Sequence, residues 1–194
     1  VLVVGMGKSG VAAAQLLQRE GARVTLTDMR PRKALGRKAL DLERSGIIVE
    51  AGKHRPESFR QAEMIVASPG VPRTLPPLEE AVRKGIPVIG EMELGFSFLQ
   101  VPVVAVTGSN GKSTTTTLVG DIFDAAGKKV FVGGNLGTPL CQFVLSGDRA
   151  DWVIVEVSSF QLETIRTFRP KVAVLMNVTP DQLDRHRDVR EYPQ

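Results

Sequence analysis

Nine short apolar runs punctuate the chain: VLVVG (1–5), RVTLTD (23–28), GIIVE (46–50), MIVAS (64–68), IPVIG (86–90), VPVVAVTG (101–108), KVFVGG (129–134), WVIVEVSS (152–159) and KVAVLMNV (171–178). They are rich in β-branched residues and almost unbroken in apolar character, as strands covered on both faces of a parallel sheet are. Between them lie stretches with one apolar and one polar face, such as Ser9 to Glu20, Leu75 to Lys84 and Lys112 to Ala126. This alternation predicts α/β architecture with right-handed crossovers. After the fifth run, GEMELGFSFLQ reads as a short helix, and Val101-Pro102 opens a fresh strand. The expected division is therefore two units in tandem, residues 1–97 and 98–194.

Composition narrows the class without naming a function. The 194 residues are 42% hydrophobic and 24% charged, an ordinary globular mixture with enough length for a sizeable core. No apolar stretch approaches the ~20 residues of a membrane span. The single cysteine, Cys141, forms no internal disulfide framework and fits a reducing, cytoplasmic setting. The opening VLVVG lacks a basic-then-apolar leader, and both ends read as those of a piece of a longer protein. The net charge of +4 comes from the first hundred residues, which hold 15 basic and 11 acidic groups. Arg30, Arg32, Lys33, Arg37 and Lys38 cluster there, as a solvated face or against an anionic small ligand. With aromatics at 5%, the cluster lacks the interleaved rings of a nucleic-acid binder, and no nucleic-acid partner is expected.

Two glycine-rich loops carry the chemistry. Gly5-Met6-Gly7-Lys8-Ser9-Gly10 is a G-x-G-x-x-G between a strand and a helix, with Asp28 ending the next strand. Such glycines let the backbone approach a phosphate at a helix N-terminus, and Asp28 can accept from ribose hydroxyls. A tight turn without a ligand is the plainer alternative. The second loop, Thr107-Gly108-Ser109-Asn110-Gly111-Lys112-Ser113-Thr114, follows a strand and opens a helix. It keeps only the GKS end of the general phosphate-loop pattern, but a turn of N–H groups, a lysine and a hydroxyl still suit phosphates and Mg²⁺.

Glu156 stands at the end of a very apolar strand, where an unpaired carboxylate costs several kcal/mol. It needs a cation, either Mg²⁺ or an arginine. Gly133-Gly134-Asn135 and Asn177-Val178-Thr179-Pro180-Asp181 end neighbouring strands and should converge on the same edge. His54 reads as a surface residue without a partner, Cys141 as core and Trp152 as packing.

TGSNGKSTTTTLVG, GGNLGTPL, EVSSFQLE and NVTPDQLDRH, in this order, resemble the Mur ligase family, and within it the branch that adds D-glutamate. SPGVP (68–72) and GEMELGF (90–96) match the family's first domain, so the resemblance runs through nearly the whole chain. It implies a Rossmann-like parallel-sheet N-terminal domain that holds UDP rather than NAD, followed by a truncated P-loop-type ATP-binding domain. Lys8, Ser9, Asp28, Met29, Arg30, Ser68, Gly70, Asn135 and Gln182 would contact the UDP substrate. Gly108, Ser109, Asn110, Gly111, Lys112, Ser113 and Thr114 would bind ATP. Lys112 would contact the transferred phosphate, Ser113 and Glu156 a Mg²⁺ ion, and Asn135 the muramoyl substrate, so that Lys112, Glu156 and Asn135 form the catalytic set.

The implied reaction phosphorylates the L-alanyl carboxylate of UDP-N-acetylmuramoyl-L-alanine. D-glutamate's amine then attacks the acyl phosphate through a tetrahedral intermediate, in a cytoplasmic, monomeric enzyme of peptidoglycan synthesis. One departure concerns the second metal: where the family pattern has histidine, this chain has Gln182, an amide that ligates magnesium weakly or through water, with His186 one helical turn on. The family's third domain is not within these residues, so this chain alone is expected to be inactive. Two alternatives stay open, another amide ligase of the superfamily and an NAD(P)-binding regulatory module fused to a P-loop domain.

Overall fold

The computed structural model of the chain describes residues 1–179. The first sheet is built from β1 (Leu2–Val4), β2 (Thr25–Asp28), β3 (Ile48–Ala51), β4 (Ile65–Ala67) and β5 (Val88–Gly90), in the order β3-β2-β1-β4-β5. Every pairing is parallel. The intervening helices are α1 (Lys8–Arg19), α2 (Arg32–Arg44), α3 (Pro56–Arg60) and α4 (Pro76–Arg83), with α5 (Glu91–Ser97) following the last strand. The order reverses beside β1, so the loops after β1 and β4 face each other across a crevice at the strands' C-terminal ends.

The second sheet has β6 (Val103–Thr107), β7 (Val130–Gly134), β8 (Trp152–Glu156) and β9 (Val172–Leu175), all parallel in the order β7-β8-β6-β9. Its helices are α6 (Lys112–Ala125), α7 (Leu140–Ser146) and the short α8 (Ser159–Leu162). Val106 pairs with Glu156, which sets the glycine loop after β6 beside the end of β8. The α/β class, the parallel sheets and the short helix after the fifth strand are as the sequence pattern predicts.

The central strands are buried because crossovers cover both faces: Leu2, Val3 and Val4 are at most 1% exposed, and Val153, Ile154 and Val155 are fully buried. The two cores interleave. Cys141 of α7 belongs to the cluster around Leu16 and Leu26, whereas Met92 of α5 belongs to the cluster around Val153 and Leu140. Polar ties reinforce this joint. Glu93 accepts hydrogen bonds from the N–H groups of Arg166, Thr167 and Phe168 (2.7–3.0 Å) and from the Thr167 hydroxyl at 2.5 Å. The Arg19 guanidinium donates to the Val144 carbonyl at 3.1 Å.

The basic cluster lies on or beside α2, with Arg32, Lys33, Arg37 and Lys38 in solvent and Arg32 paired with Glu43. Of the two readings it allowed, a solvated helix face is the one observed for these four. Among the described residues no helix is long and apolar enough to cross a membrane.

Candidate functional site

The crevice of the first sheet is a cavity of about 710 Å³. Its wall includes Lys8, Ser9, Asp28, Met29, Arg30, Ser68 and Gly70, so the first sheet's sequence-predicted residues meet around one space. The glycine loop is shaped by close packing, since a Cβ on Gly10 would lie 1.8 Å from the Gly5 carbonyl oxygen. The Ser68 hydroxyl donates to that same carbonyl at 3.1 Å and ties the β4 loop to it.

Asp28 departs from the expectation of a free ribose acceptor. One carboxylate oxygen accepts from the Arg30 backbone N–H and Nε (2.8 and 2.9 Å), the other from Met6 N–H and Arg30 Nη2 (2.7 and 2.8 Å). Four donors match the four lone-pair directions of a carboxylate. Burial raises the Asp28 pKa, but the Arg30 and Met6 hydrogen bonds outweigh it and hold the carboxyl at about 2. Asp28 thus anchors Arg30 and the loop at the cavity wall.

His54 also lines this cavity, and the reading of a partnerless surface residue does not hold. Its Nδ1 lies 2.9 Å from the Thr27 hydroxyl, and its ring meets Phe59 edge-on at 5.9 Å. Burial lowers its pKa, against the opposing pull of Asp28 and Glu50. The contact joins residues 27 apart in the chain, which the local pattern around His54 does not reveal. Cys141 is core, as expected, and burial pushes its thiol up.

At the second loop, Asn177 and Thr179 grip the turn. Ser109 N–H donates to the Asn177 carbonyl (3.0 Å) and Asn110 N–H to Asn177 Oδ1 (2.9 Å). The Ser109 hydroxyl donates to the Thr179 carbonyl at 3.1 Å. These two N–H groups are therefore engaged, whereas those of α6's first turn, which helical geometry leaves without intrahelical partners, can meet an anion. Gly111 caps α6 at φ +83°, a left-handed conformation that glycine adopts without strain. Lys112 folds back, its Nζ 2.6 Å from the Gly108 carbonyl and 2.8 Å from that of Ser109.

Glu156 is 3% exposed. Its Oε2 accepts from the Ser113 hydroxyl at 2.5 Å and its Oε1 from Asn135 Nδ2 at 2.6 Å. Both partners are neutral, so the arginine alternative is not what the described residues place there. A hydroxyl and a carboxylate in contact at a helix start are hard oxygen donors of the kind that suits Mg²⁺. The position fits the ion, though among the described residues no three His, Cys, Asp or Glu side chains gather into a metal cluster. Asn135 faces both ways: it bonds Glu156 and also lines the cavity of the first sheet. Gln182 and His186 lie outside the described residues.

Residues 1–90 match the model of the Mur ligase MurD-like N-terminal domain, and residues 106–194 that of the Mur ligase middle domain. The chain belongs to the Mur ligase family. The UDP-N-acetylmuramoylalanine–D-glutamate ligase of Desulfosudis oleivorans is 53% identical over 192 residues, and that of Koribacter versatilis 51%. Each alignment covers 99% of this Mur ligase chain and 42% of the relative, so the chain spans about two-fifths of the length of these curated relatives.

Among solved structures, a UDP-N-acetylmuramate:L-alanyl-γ-D-glutamyl-meso-diaminopimelate ligase from Neisseria meningitides superposes with a TM-score of 0.59 at 18% identity, covering 98% of this chain and 64% of that one. A UDP-N-acetylmuramate-alanine ligase from Thermotoga maritima gives 0.55 at 20%, covering 98% and 44%. At these identities they support the α/β fold.

Proposed function

We propose that this chain is the UDP-substrate-binding unit (1–97) and part of the ATP-binding, P-loop-type unit (98–194) of a Mur ligase that adds D-glutamate to UDP-N-acetylmuramoyl-L-alanine. The whole protein is proposed to work as a cytoplasmic monomer. The observation that carries the reading is Asn135, which lines the glycine-loop cavity and whose side chain donates to Glu156 at 2.6 Å. A substrate seated by Lys8, Ser9, Met29, Arg30, Ser68 and Gly70 would extend past Asn135 and bring its carboxylate to the Ser113–Glu156 pair.

In the proposed reaction that carboxylate attacks the terminal phosphorus of ATP, forming an acyl phosphate and releasing ADP. The amine of D-glutamate then adds to the acyl carbon, and the tetrahedral adduct expels phosphate and leaves the amide. Lys112 would exchange its two loop carbonyls for phosphoryl oxygens, a charge-assisted contact stronger than a neutral one. The N–H groups of α6's first turn would orient the phosphates, with Gly108 to Thr114 forming the loop. Ser113 and Glu156, with Gln182 as a further oxygen donor, would hold Mg²⁺, which when bound neutralises charge on phosphoryl oxygens. Asp28 would act through Arg30.

Calorimetric titration of the chain with UDP-N-acetylmuramoyl-L-alanine, alongside NADPH, tests the first half of this reading. Heat from the UDP compound alone is expected, and NADPH binding in its place would overturn the assignment of residues 1–97.

A further inference from the structure

One corner of the glycine-loop cavity has no task in the ligase reading. His54 follows β3 and lines the cavity on the same side of β1 as Met29 and Arg30, which follow β2. Thr27 is fully buried, and its hydroxyl has His54 Nδ1, at 2.9 Å, as its partner. A buried hydroxyl proton needs an acceptor, so Thr27 donates, Nδ1 accepts, and the ring carries its own proton on Nε2. Among the described residues Nε2 has no partner, and it is not one of the sealed atoms, which are Glu50 Oε2 and Glu91 Oε2. The Thr27 hydroxyl and the edge-on Phe59 ring hold the imidazole in place. His54 therefore offers a fixed and open N–H donor.

Charge and distance decide what this donor meets. Asp28 on β2 and Glu50 on β3 are the charged groups that act on His54. Asp28 is paired with Arg30, whereas Glu50 accepts from the Ser58 hydroxyl. Burial lowers the His54 pKa against their pull, so the ring is neutral at neutral pH. A neutral donor beside acids is a poor host for an anion. Phosphates belong at the start of α1, with Lys8 and the N–H groups of the first turn. Neighbouring strands lie about 4.8 Å apart, so His54, two strands over from β1, stands about 10 Å to the side of the glycine loop. That is about the length of a nucleoside. Phosphates at α1 would carry the far edge of a base to His54, past Met29, whose exposed side chain offers apolar surface to the base.

We propose that His54 reads the base, its Nε2–H donating to the carbonyl oxygen at C4 of uracil, the acceptor farthest from the sugar. This rests on the reading that residues 1–97 bind a uridine nucleotide, and it adds the group that selects uracil. Cytosine presents an amino group at the same place, so two donors would meet there. A site built around a hydrogen bond rejects an analogue that cannot complete it.

Calorimetry of the chain with UDP and CDP is the test. The parent chain is expected to bind UDP about tenfold more tightly than CDP. His54→Phe, which keeps a ring beside Phe59 but lacks the donor, is expected to lose about tenfold in UDP affinity and to leave CDP nearly unchanged. Equal binding of UDP and CDP by the parent would overturn the proposal. So would a His54→Phe chain weakened toward both by the same factor, the mark of a ring that only supports the cavity. Silence of the parent toward UDP would sink the uridine-site reading as well, whereas UDP binding with either of the other two results sinks the role of His54 alone. If His54→Phe does not fold, the imidazole resonances of the parent chain decide. The chain has two histidines, so His186→Gln identifies the signal of His54. UDP is expected to move that signal and inorganic pyrophosphate to leave it in place, and any other pairing overturns the proposal.

Discussion

The two glycine-rich loops leave their strands alike and are held in opposite ways. The first is locked from within the sheet: Asp28 grips Met6 and Arg30, Ser68 ties the Gly5 carbonyl, and the cavity in front stays open. The second is held by its own cation, with Lys112 on the carbonyls of Gly108 and Ser109, and by Asn177 from the neighbouring strand end. A preformed cavity binds without rearrangement, whereas a loop closed on its own lysine must exchange contacts before a phosphate can enter. The same strand-loop-helix plan thus yields a preformed cavity in one sheet and a loop closed on its own lysine in the other, as the proposed division into substrate recognition and phosphate chemistry requires.

The comparison breaks most sharply at the glycines. Gly10→Ala would drive a methyl group to 1.8 Å from a backbone oxygen, and should cost at least about 3 kcal/mol. Gly111→Ala meets nothing nearer than Met176 Cε at 3.6 Å, and bears only its left-handed backbone, about 1 kcal/mol. Urea unfolding of the two variants measures the gap, and equal losses would contradict tight packing around Gly10 and free space beside Gly111.

Next comes Lys112→Ala in the full-length protein, which should lower ligase turnover by about a hundredfold or more. Binding of the UDP substrate, followed by calorimetry, should stay nearly intact. Loss of both together would mean that the two sites are not separable.

The smallest effect belongs to Asp28. Its carboxyl titrates at about 2 in the fold against an ordinary 3.8, so it stabilises the fold above the ordinary value and loses that contribution as pH falls toward 2. Arg30 is half exposed, so solvent screens the pair and Asp28→Asn should cost about 1 kcal/mol at pH 7. Parent and variant should converge near pH 2, read from their urea midpoints; a constant difference across pH would assign the loss to packing.

Much of this architecture was legible in the chain because it is local. Apolar runs such as Val103–Thr107 announce a covered strand, and a glycine loop between a strand and an amphipathic stretch announces its own turn. Of the site, the pairing of Ser113 with Glu156 was implied by the family resemblance, while the convergence of Asn135, Glu156 and Asn177 followed from the strands that they end. The engagement of Asp28 did not, because three of its four donors come from Arg30, a residue that pattern alone places in a basic cluster. Nor did the roles of Glu91 and Glu93. Their partners lie 50 and 73 to 75 residues away, and no window of sequence spans that distance. A signal was present in GEMELGF, where two acids interrupt an otherwise apolar turn and therefore need partners if buried.

The exchange of side chains between the cores, Cys141 one way and Met92 the other, has a mechanical consequence. Prying the sheets apart would expose apolar surface and strand the Glu93 carboxylate at once, so there is no cheap intermediate in which one sheet is intact and the other adrift. The joint works like a mortise rather than a hinge pin. Force or heat applied to either sheet is shared with the other, and the spacing between the recognition cavity and the lysine loop is kept until both give way together.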